Sequence, residues 1–339
     1  MKILLIGATG FIGPHLVREL VHQGHDITVF HRGHAPAALP DSVTQIHGDR
    51  NELANYGDDF RRLRPDAVVD LILSSERQAK LLMNTFRGLA RRIVALSSGD
   101  VYRACGIAHR LEDGPLQPVP LTEDSELRTN RNTYGPEVLK QLRTVFGWLD
   151  DGYDKIPVEQ AVMNDPELPG AVLRLPMIYG PGDPLHRLFP YLKRMDDKRP
   201  AILIQEDAGH WRGPRGYVEN VAAAIALATV SDKAAGRIYN IAEEPALSET
   251  GWIQKIGRAA GWNGSVVPIP KDRTPTHLKS PYRNEQDWTM SSARIRDELG
   301  YSEPVDSETA MERTIAWERA NPPVVSAAAF DYEAEDQAM

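Results

Sequence analysis

Three glycines near the start of the chain are spaced as in a loop that binds a phosphate group. Gly7, Gly10 and Gly13 lie in "LLIGATGFIGPHLVREL", after an apolar run and before a helix-like pattern. A side chain at such a turn would keep a pyrophosphate away from the backbone N–H groups and from the positive end of the helix. The pattern therefore predicts a dinucleotide-binding loop. A glycine turn without a ligand is the alternative.

The end of the second predicted strand indicates which dinucleotide binds. In "DITVFHRG", His31 occupies the place where NAD-binding proteins put a carboxylate for the ribose hydroxyls, and Arg32 follows it. No acid there would repel a 2′-phosphate, and an arginine can pair with one. The sequence favours NADP, with NAD as second choice, unless Arg32 is an ordinary surface residue. Asp49, in "HGDR" at the end of a third strand, is expected to accept from the adenine amino group.

The elements that must position these residues alternate along the chain. Short β-branched runs, separated by helix-length amphipathic segments, predict an α/β fold with a parallel sheet and crossover helices. We predict a dinucleotide-binding domain in residues 1–176 and 217–245, with 103–152 as an inserted lid or loop segment. A substrate lobe is predicted in 177–216 and 246–322, and a flexible acidic tail in 323–339. The strand-like runs are "KILLIG", "HDITVFHR", "DAVVDLIL", "RRIVALSS", "GAVLRLP" and "GRIYNIA".

Composition excludes several classes of protein. The 339 residues are 42% hydrophobic and 25% charged, which is enough for one large α/β domain and a smaller lobe. The single Cys105 excludes an intrachain disulfide, the histidines have no metal-binding spacing, and no apolar run is long enough to span a membrane. A net charge of −8 makes nucleic-acid binding an unlikely function. The N-terminus has no signal-peptide cleavage site, so we expect a cytoplasmic protein.

Six segments of the sequence are informative when taken together: "GATGFIG", "ALSSGDVY", "LRLPMIYGPGD", "RGYVENVAAAI", "IYNIAEE" and "MSSARIRDELGY". They resemble the extended short-chain dehydrogenase/reductase family, also called the NAD-dependent epimerase/dehydratase family, and the resemblance runs over nearly the whole chain. It implies a Rossmann-type doubly wound parallel sheet with a smaller C-terminal substrate-binding lobe. It also implies NAD(P)-dependent epimerase, dehydratase or reductase chemistry on a hydroxyl or carbonyl group of a small anionic substrate, nucleotide-linked sugars included.

In that family a Ser or Thr polarises the substrate oxygen, a Tyr four residues before a Lys transfers the proton, and the Lys binds the nicotinamide ribose. Ser98, three residues before Val101, matches the Ser, although a structural cap is the alternative. In "DGYDKIPVEQAVM", residues 151–163, neither register completes the pair. If Lys155 is the lysine, the Tyr position is Asp151; if Tyr153 is the phenol, the Lys position is Pro157.

We favour the lysine register, because Glu159 also follows at the spacing that the family commonly shows. Pro157 is tolerated only in a first turn, so the helix is predicted to start with Asp154 as N-cap and Lys155 as its first residue. Tyr153 would then lie outside the helix as a displaced candidate phenol.

The absence of the four-residue spacing between Tyr and Lys also favours a second hypothesis. In this hypothesis the chain is a non-catalytic cofactor-binding or RNA-associated regulatory member of the same fold.

Tyr134 is a second candidate phenol. It lies in "PLTEDSELRTNRNTYGPEVLK", which resembles the segment before the family's catalytic lysine, but Lys140 follows after six residues rather than four. The insert could fold back to bring Tyr134 to Lys155, or Tyr134 could only anchor the loop.

The resemblance also assigns substrate and cofactor contacts. Ser98, Tyr179, Arg187, Trp211 and Arg215 are the predicted substrate residues, because arginine suits a planar anionic group; an ion-paired loop is the alternative for Arg215. A homodimer through helices around 76–90 and 155–165 is expected from the family. The predicted cofactor-binding residues are Gly7, Thr9, Gly10, Phe11, Ile12, Gly13, His31, Arg32, Asp49, Arg50, Leu71, Lys155 and Pro176.

Overall fold

The structure is a computed structural model and describes residues 1–33, 39–132 and 134–339. Its strands are β1 (Lys2–Ile6), β2 (Asp26–His31), β3 (Thr44–His47), β4 (Ala67–Asp70), β5 (Arg92–Ser98), β6 (Gly170–Leu175), β7 (Met177–Tyr179), β8 (Ala201–Gln205), β9 (Arg215–Tyr217), β10 (Arg237–Asn240) and β11 (Ser265–Ile269). Its α-helices are α1 (Gly13–His22), α2 (Gly57–Leu63), α3 (Glu76–Phe86), α4 (Arg103–Ala108), α5 (Pro136–Val145), α6 (Lys155–Met163), α7 (Phe189–Asp196), α8 (Glu206–His210), α9 (Val218–Val230), α10 (Glu249–Ala260), α11 (Ala293–Leu299), α12 (Ser307–Ala320) and α13 (Tyr332–Ala338).

Within the described residues, seven strands form one parallel sheet in the order β10-β6-β5-β4-β1-β2-β3. Successive residues of β1 face opposite sides: Ile3 and Leu5 pack with α1 and α9, whereas Leu4 and Ile6 pack with α3 and α6. Strands covered on both faces must be apolar throughout, which explains the continuous hydrophobic runs. The predicted Rossmann-type doubly wound sheet is confirmed.

A smaller layer of elements packs beyond the carboxyl ends of the strands. β8 pairs in parallel with β11, and α10 packs against α7, α8 and α12. These elements fall within the two ranges predicted for the substrate lobe, while the exact domain boundaries stay a prediction. The segment 103–152 contains α4 and α5 and reaches this layer, since the Leu121 N–H donates to the Thr289 carbonyl at 2.8 Å.

The predicted flexible acidic tail is wrong. Residues 327–330 form a 3₁₀ turn and α13 follows it, docked on the lobe. Glu335 is fully buried and accepts from Arg194 Nη2 at 2.5 Å and from His277 Nε2 at 3.0 Å. The acidic residues that suggested a solvated end instead pair with cations of the lobe, which fixes the segment.

The two helices expected at a dimer interface, α3 and α6, pack against each other on one side of the sheet. The exposed positions of α3 are polar, and Lys80 pairs there with Glu76 at 2.7 Å; on α6, Gln160 is exposed while Ala161 and Met163 are half-buried. The homodimer therefore stays a prediction. Across the described ranges, no helix combines the length and the hydropathy that crossing a membrane would require.

Candidate functional site

The three glycines of the first loop have three different surroundings. Gly7 has a φ of +79°, and a Cβ there would lie 2.7 Å from the Ile72 side chain. A Cβ on Gly13 would lie 2.1 Å from the Ala8 carbonyl oxygen, so glycine allows the start of α1 to pack on the loop. A Cβ on Gly10 would meet nothing within 4 Å. Gly10 therefore borders open space at the N-terminus of α1, where a pyrophosphate can approach the backbone.

That space belongs to a cavity of about 400 Å³ at the carboxyl ends of β1, β2 and β3. Leu71 is not among its lining residues because its side chain packs in the core beneath α1, and the next residue, Ile72, lines the cavity instead. Phe11, Ile12, Gly13, Lys155 and Pro176 also lie outside the lining. The predicted cofactor residues that line it are Gly7, Thr9, Gly10, His31, Arg32, Asp49 and Arg50.

The polar groups around this cavity fit a phosphorylated dinucleotide. His31 Nε2 bonds to the Gln45 side chain at 2.9 Å, and burial lowers the pKa of His31, so the ring is neutral near pH 7. Arg50 is buried and pairs with Asp70, while its Nε and Nη1 have no partner among the described residues. Arg32 is exposed at the cavity edge. Unsatisfied guanidinium donors beside the open face of Gly10 suit phosphate oxygens.

The entry to α6 has the predicted geometry. Asp154 is the N-cap, its carboxylate accepts from the Ile156 N–H at 3.1 Å, and Lys155 is the first helical residue. The Lys155 ammonium is buried and donates to the main-chain oxygens of Leu73 and, at 3.0 Å, of Leu96. Burial lowers the pKa of Lys155 to about 8.

Trp148 lies near both Lys155 and the cavity beside Gly10. The Lys155 Nζ lies 5.8 Å from the centre of the Trp148 ring, and Trp148 lines the cavity together with Gly147 and Asp151. The inserted segment therefore forms part of the wall of this cavity.

Both candidate phenols reach one carboxylate. The Tyr153 hydroxyl donates to Asp100 Oδ2 at 2.7 Å and the Tyr134 hydroxyl donates to the same oxygen at 3.2 Å. The centres of the two rings are 6.0 Å apart, and Lys155 Nζ lies 5.8 Å from the centre of the Tyr153 ring. Burial and the Asp100 charge raise the pKa of both tyrosines well above the ordinary value. The insert folds back and brings Tyr134 to Asp100 and to the Tyr153 ring. A direct meeting of Tyr134 with Lys155 stays a prediction.

Two further residues near this cluster have bonds of their own. Ser98 Oγ accepts from the Asp100 N–H at 3.2 Å, which makes it the cap of the short turn after β5, the alternative that the sequence left open. A contact between Ser98 and a substrate oxygen stays a prediction. Glu159 pairs with the buried Arg174 at 2.7 Å and accepts from Ser97 at 2.5 Å.

A second cavity, of about 390 Å³, gathers four of the five predicted substrate residues: Tyr179, Arg187, Trp211 and Arg215. Arg187 pairs with Asp183 at 2.7 Å. Arg215 pairs with Glu249, yet its Nη1 is buried without a partner among the described residues.

The remaining wall of this cavity is largely aromatic and was not predicted. His109 lies 4.9 Å from Tyr282 and 6.2 Å from Trp288 between ring centres, and all three line the cavity. The His109 ring is also 5.6 Å from the Tyr134 ring. His109, Tyr134, Tyr153 and Lys155 thus form a chain of neighbours from the substrate cavity to the cofactor side.

Sequence reasoning missed Asp100 and His109 for different reasons. Asp100 is the last residue of "SSGD" at the carboxyl end of a strand, a position where polar side chains of α/β folds commonly act, so a signal was present. His109 lies in an insert, and its ring contacts come from residues 134, 282 and 288, which no local pattern connects.

The parallel sheet, the glycine loop and the cavity at the strand ends are features of the Rossmann class of folds. Residues 3–135 match the model of the "NAD dependent epimerase/dehydratase family". This match covers the N-terminal part of the chain and agrees with the resemblance to the extended short-chain dehydrogenase/reductases that the sequence motifs carry.

Individual relatives are distant. The chain is 25% identical over 286 residues to 2′-dehydrokanamycin reductase of Streptomyces kanamyceticus, covering 82% of this chain and 72% of the relative. It is 25% identical over 323 residues to the chloroplast stem-loop binding protein of 41 kDa b of Arabidopsis thaliana, covering 90% and 76%. Among solved structures, MoeE5 in complex with UDP-glucose and NAD superposes with a TM-score of 0.65 at 20% identity, over 95% of this chain and 100% of that one.

Proposed function

We propose that the chain is an NADP-dependent oxidoreductase or epimerase that acts on a hydroxyl or carbonyl group of a small anionic substrate. The observation that carries this proposal is the continuous set of Tyr134, Asp100, Tyr153 and Lys155 between two cavities. One cavity has a phosphate-accepting loop and the other has an aromatic wall with arginines. Two phenols bonded to one buried carboxylate between the cavities are expected in a proton-transfer site and are not required for cofactor binding alone.

The cofactor proposal rests on the residues around Gly10. Arg32 at the cavity edge and the unsatisfied donors of Arg50 supply positive charge for phosphate oxygens, which supports NADP over NAD. Lys155, already bonded to two carbonyls, has a further ammonium hydrogen for the nicotinamide ribose. When bound, the nicotinamide cofactor supplies the site that accepts or donates a hydride.

The proton is proposed to travel through a phenol. Tyr134 and Tyr153 stay protonated near neutral pH because burial and Asp100 raise their pKa values. Such a phenol can donate to a substrate carbonyl oxygen, or accept from a substrate hydroxyl while its own proton moves to the carboxylate. Ser98 is proposed to donate its free hydroxyl hydrogen to the same substrate oxygen.

The substrate proposal rests on the second cavity. Its Trp211, Tyr282 and Trp288 side chains suit a flat or apolar group, and the unpartnered Arg215 Nη1 suits a phosphate or carboxylate oxygen. A nucleotide-linked sugar combines both features. MoeE5, with its bound UDP-glucose, supports this class as a first choice.

The test begins with cofactor binding and continues with turnover. NADPH and NADH are titrated by fluorescence. Turnover is then followed by the absorbance of the reduced nicotinamide. The panel contains UDP- and dTDP-linked sugars with NADP⁺, and 3-oxo acids with NADPH. We expect tighter binding of NADPH and turnover of at least one compound. Failure of both cofactors to bind would overturn the proposal.

A second candidate function is non-catalytic, as a cofactor-binding or RNA-associated protein. It is favoured by the missing four-residue Tyr and Lys spacing and by the relative named as a stem-loop binding protein. Tight NADPH binding without turnover of any compound in the panel, together with retention of a stem-loop RNA in a gel-shift assay, would support it over the oxidoreductase.

A further inference from the structure

Asp100 is a fully buried carboxylate that accepts from two phenols on one of its oxygens. Tyr153 and Tyr134 both donate to Oδ2, at 2.7 and 3.2 Å. The other oxygen, Oδ1, is buried and has no partner among the described residues. A buried carboxylate oxygen without a hydrogen-bond partner lowers the free energy of unfolding. A contribution to stability therefore does not explain why an aspartate occupies this position.

No cation within the described ranges forms an ion pair with this carboxylate. Arg128 Nε donates to the main-chain oxygen of Asp100, and Arg128 Nη2 pairs with Asp154 at 3.2 Å. The Lys155 ammonium is bonded to main-chain carbonyls. The titratable or charged groups that face Asp100 are Cys105 of α4, His109 directly after α4, Arg128 and Tyr134 of the insert, and Tyr153 and Lys155 at the entry to α6.

We propose that Asp100 is the base that stores the substrate's hydroxyl proton, which it receives through one of the two phenols. This inference rests on the proposed oxidoreductase function. In the family's usual arrangement a lysine on the same helix face supports the phenol; here a carboxylate from the end of β5 does so. Asp100 acts through the phenol rather than on the substrate, so it is a positioning and proton-accepting group.

The proton transfers balance in both directions. In oxidation, the substrate O–H bond breaks and its proton passes to the phenol oxygen, while the phenol's own proton passes to Asp100 Oδ2. The hydrogen on the carbinol carbon leaves with its electron pair to NADP⁺. In reduction every transfer reverses, and the protonated carboxyl returns its proton through the phenol to the new alkoxide oxygen. The carboxylate must be ionised for oxidation and protonated for reduction.

Two phenols on one oxygen give this arrangement a specific property. Tyr134 adjoins His109 of the substrate cavity, and Tyr153 adjoins Lys155. While one phenol exchanges protons with the substrate and Oδ2, the other still donates to Oδ2. The carboxylate therefore keeps a hydrogen-bond donor throughout the cycle, which limits its desolvation cost.

The experiment compares Asp100→Asn with the wild type and with Asp113→Asn, which changes an exposed carboxylate of the inserted segment 103–152. Turnover is measured against pH with UDP-glucose and NADP⁺, or with the fastest compound of the panel, in both directions. NADPH affinity and thermal unfolding are measured on the same samples. Asn has the shape of Asp and can still accept from one phenol, so the fold should persist.

We expect Asp100→Asn to lose about a hundredfold or more in turnover, as for a lost proton-transfer group, with NADPH affinity unchanged. The wild type should lose oxidation activity at acid pH, and the residual activity of Asp100→Asn should lack that acid limb. Asp113→Asn should match the wild type. If Asp100→Asn has the same rate and the same pH profile as an active wild type, the relay is overturned. The oxidoreductase function would then remain intact. Absence of turnover in the wild type would overturn both.

If Asp100→Asn does not fold, Tyr153→Phe and Tyr134→Phe serve instead. One of the two should lose turnover and retain NADPH binding, and the double variant should match the worse single variant. Full activity in the double variant would overturn the relay.

Discussion

The Lys155 ammonium lies 5.8 Å from the centre of the Tyr153 ring, while the Tyr153 hydroxyl bonds to Asp100. The lysine and the phenol are therefore neighbours without sharing a helix face. In the family's usual arrangement, one helix face supports both cofactor binding and proton transfer. In this chain we expect mutations to separate the two.

Lys155→Met should weaken NADPH binding by about tenfold to a hundredfold, because a charged hydrogen bond contributes about 1.5–3 kcal/mol. Turnover should fall with it. Fluorescence titration measures the dissociation constant, and Lys140→Met, on the exposed face of α5, is the control. Unchanged affinity in Lys155→Met would show that this lysine does not contact the ribose.

The pH dependence of binding and of stability should have opposite signs. Because burial lowers the pKa of Lys155 to about 8, the wild type loses an ammonium donor above that pH, and NADPH affinity should fall there. The unfolded chain keeps this proton up to the ordinary value of 10.5, so the Lys155 contribution to the free energy of unfolding rises between pH 8 and 10.5. Both effects should be absent in Lys155→Met. Affinity measurements and urea unfolding across this range provide the check.

Gly10→Val and Gly13→Val should fail in different ways. A Cβ on Gly10 meets nothing within 4 Å, so this variant should fold and lose dinucleotide binding. A Cβ on Gly13 would lie 2.1 Å from the Ala8 oxygen, so this variant should unfold at a lower temperature even without cofactor. Circular dichroism and cofactor titration distinguish them. Retained NADPH binding in Gly10→Val would mean that the loop holds no pyrophosphate.

Arg32→Ala should reduce the preference for NADPH over NADH by about tenfold, the effect of removing one charge-assisted bond to a phosphate. NADH affinity should change little. Arg91→Ala, another exposed arginine, is the matched control. Equal affinities for the two cofactors in the wild type would refute the NADP assignment.

Glu335→Gln should destabilise the lobe by about 3–5 kcal/mol, because Arg194 would keep a buried charge without its partner. Glu333→Gln changes an exposed position of the same helix and should have little effect. Urea unfolding measures both. Equal stability of the two variants would mean that α13 contributes little to the lobe.

The sequence by itself determined the sheet and its cofactor loop. The largely apolar runs of β1, β2, β4, β5 and β6 reflect burial of both faces of each strand, and that pattern is visible in the residues alone. Gly7, Gly10 and Gly13 identified the loop for a similarly local reason. The N-cap Asp154 was predictable because Pro157 restricts where a helix can begin.

Tertiary structure alone decided which groups meet. Tyr134 reaches Asp100, 34 residues earlier, because the insert folds back, and no spacing in "NTYGPEVLK" encodes that return. The spacing of Glu159 supported the lysine register, but only the fold shows that its carboxylate pairs with Arg174 from the neighbouring strand. The acidic tail looked solvated because its partners, Arg194 and His277, are distant in sequence. Local sequence patterns indicate the hydrophobic period of a strand or the cap of a helix. The pairing of charges that are distant in sequence depends on the tertiary fold, because only the fold brings them together.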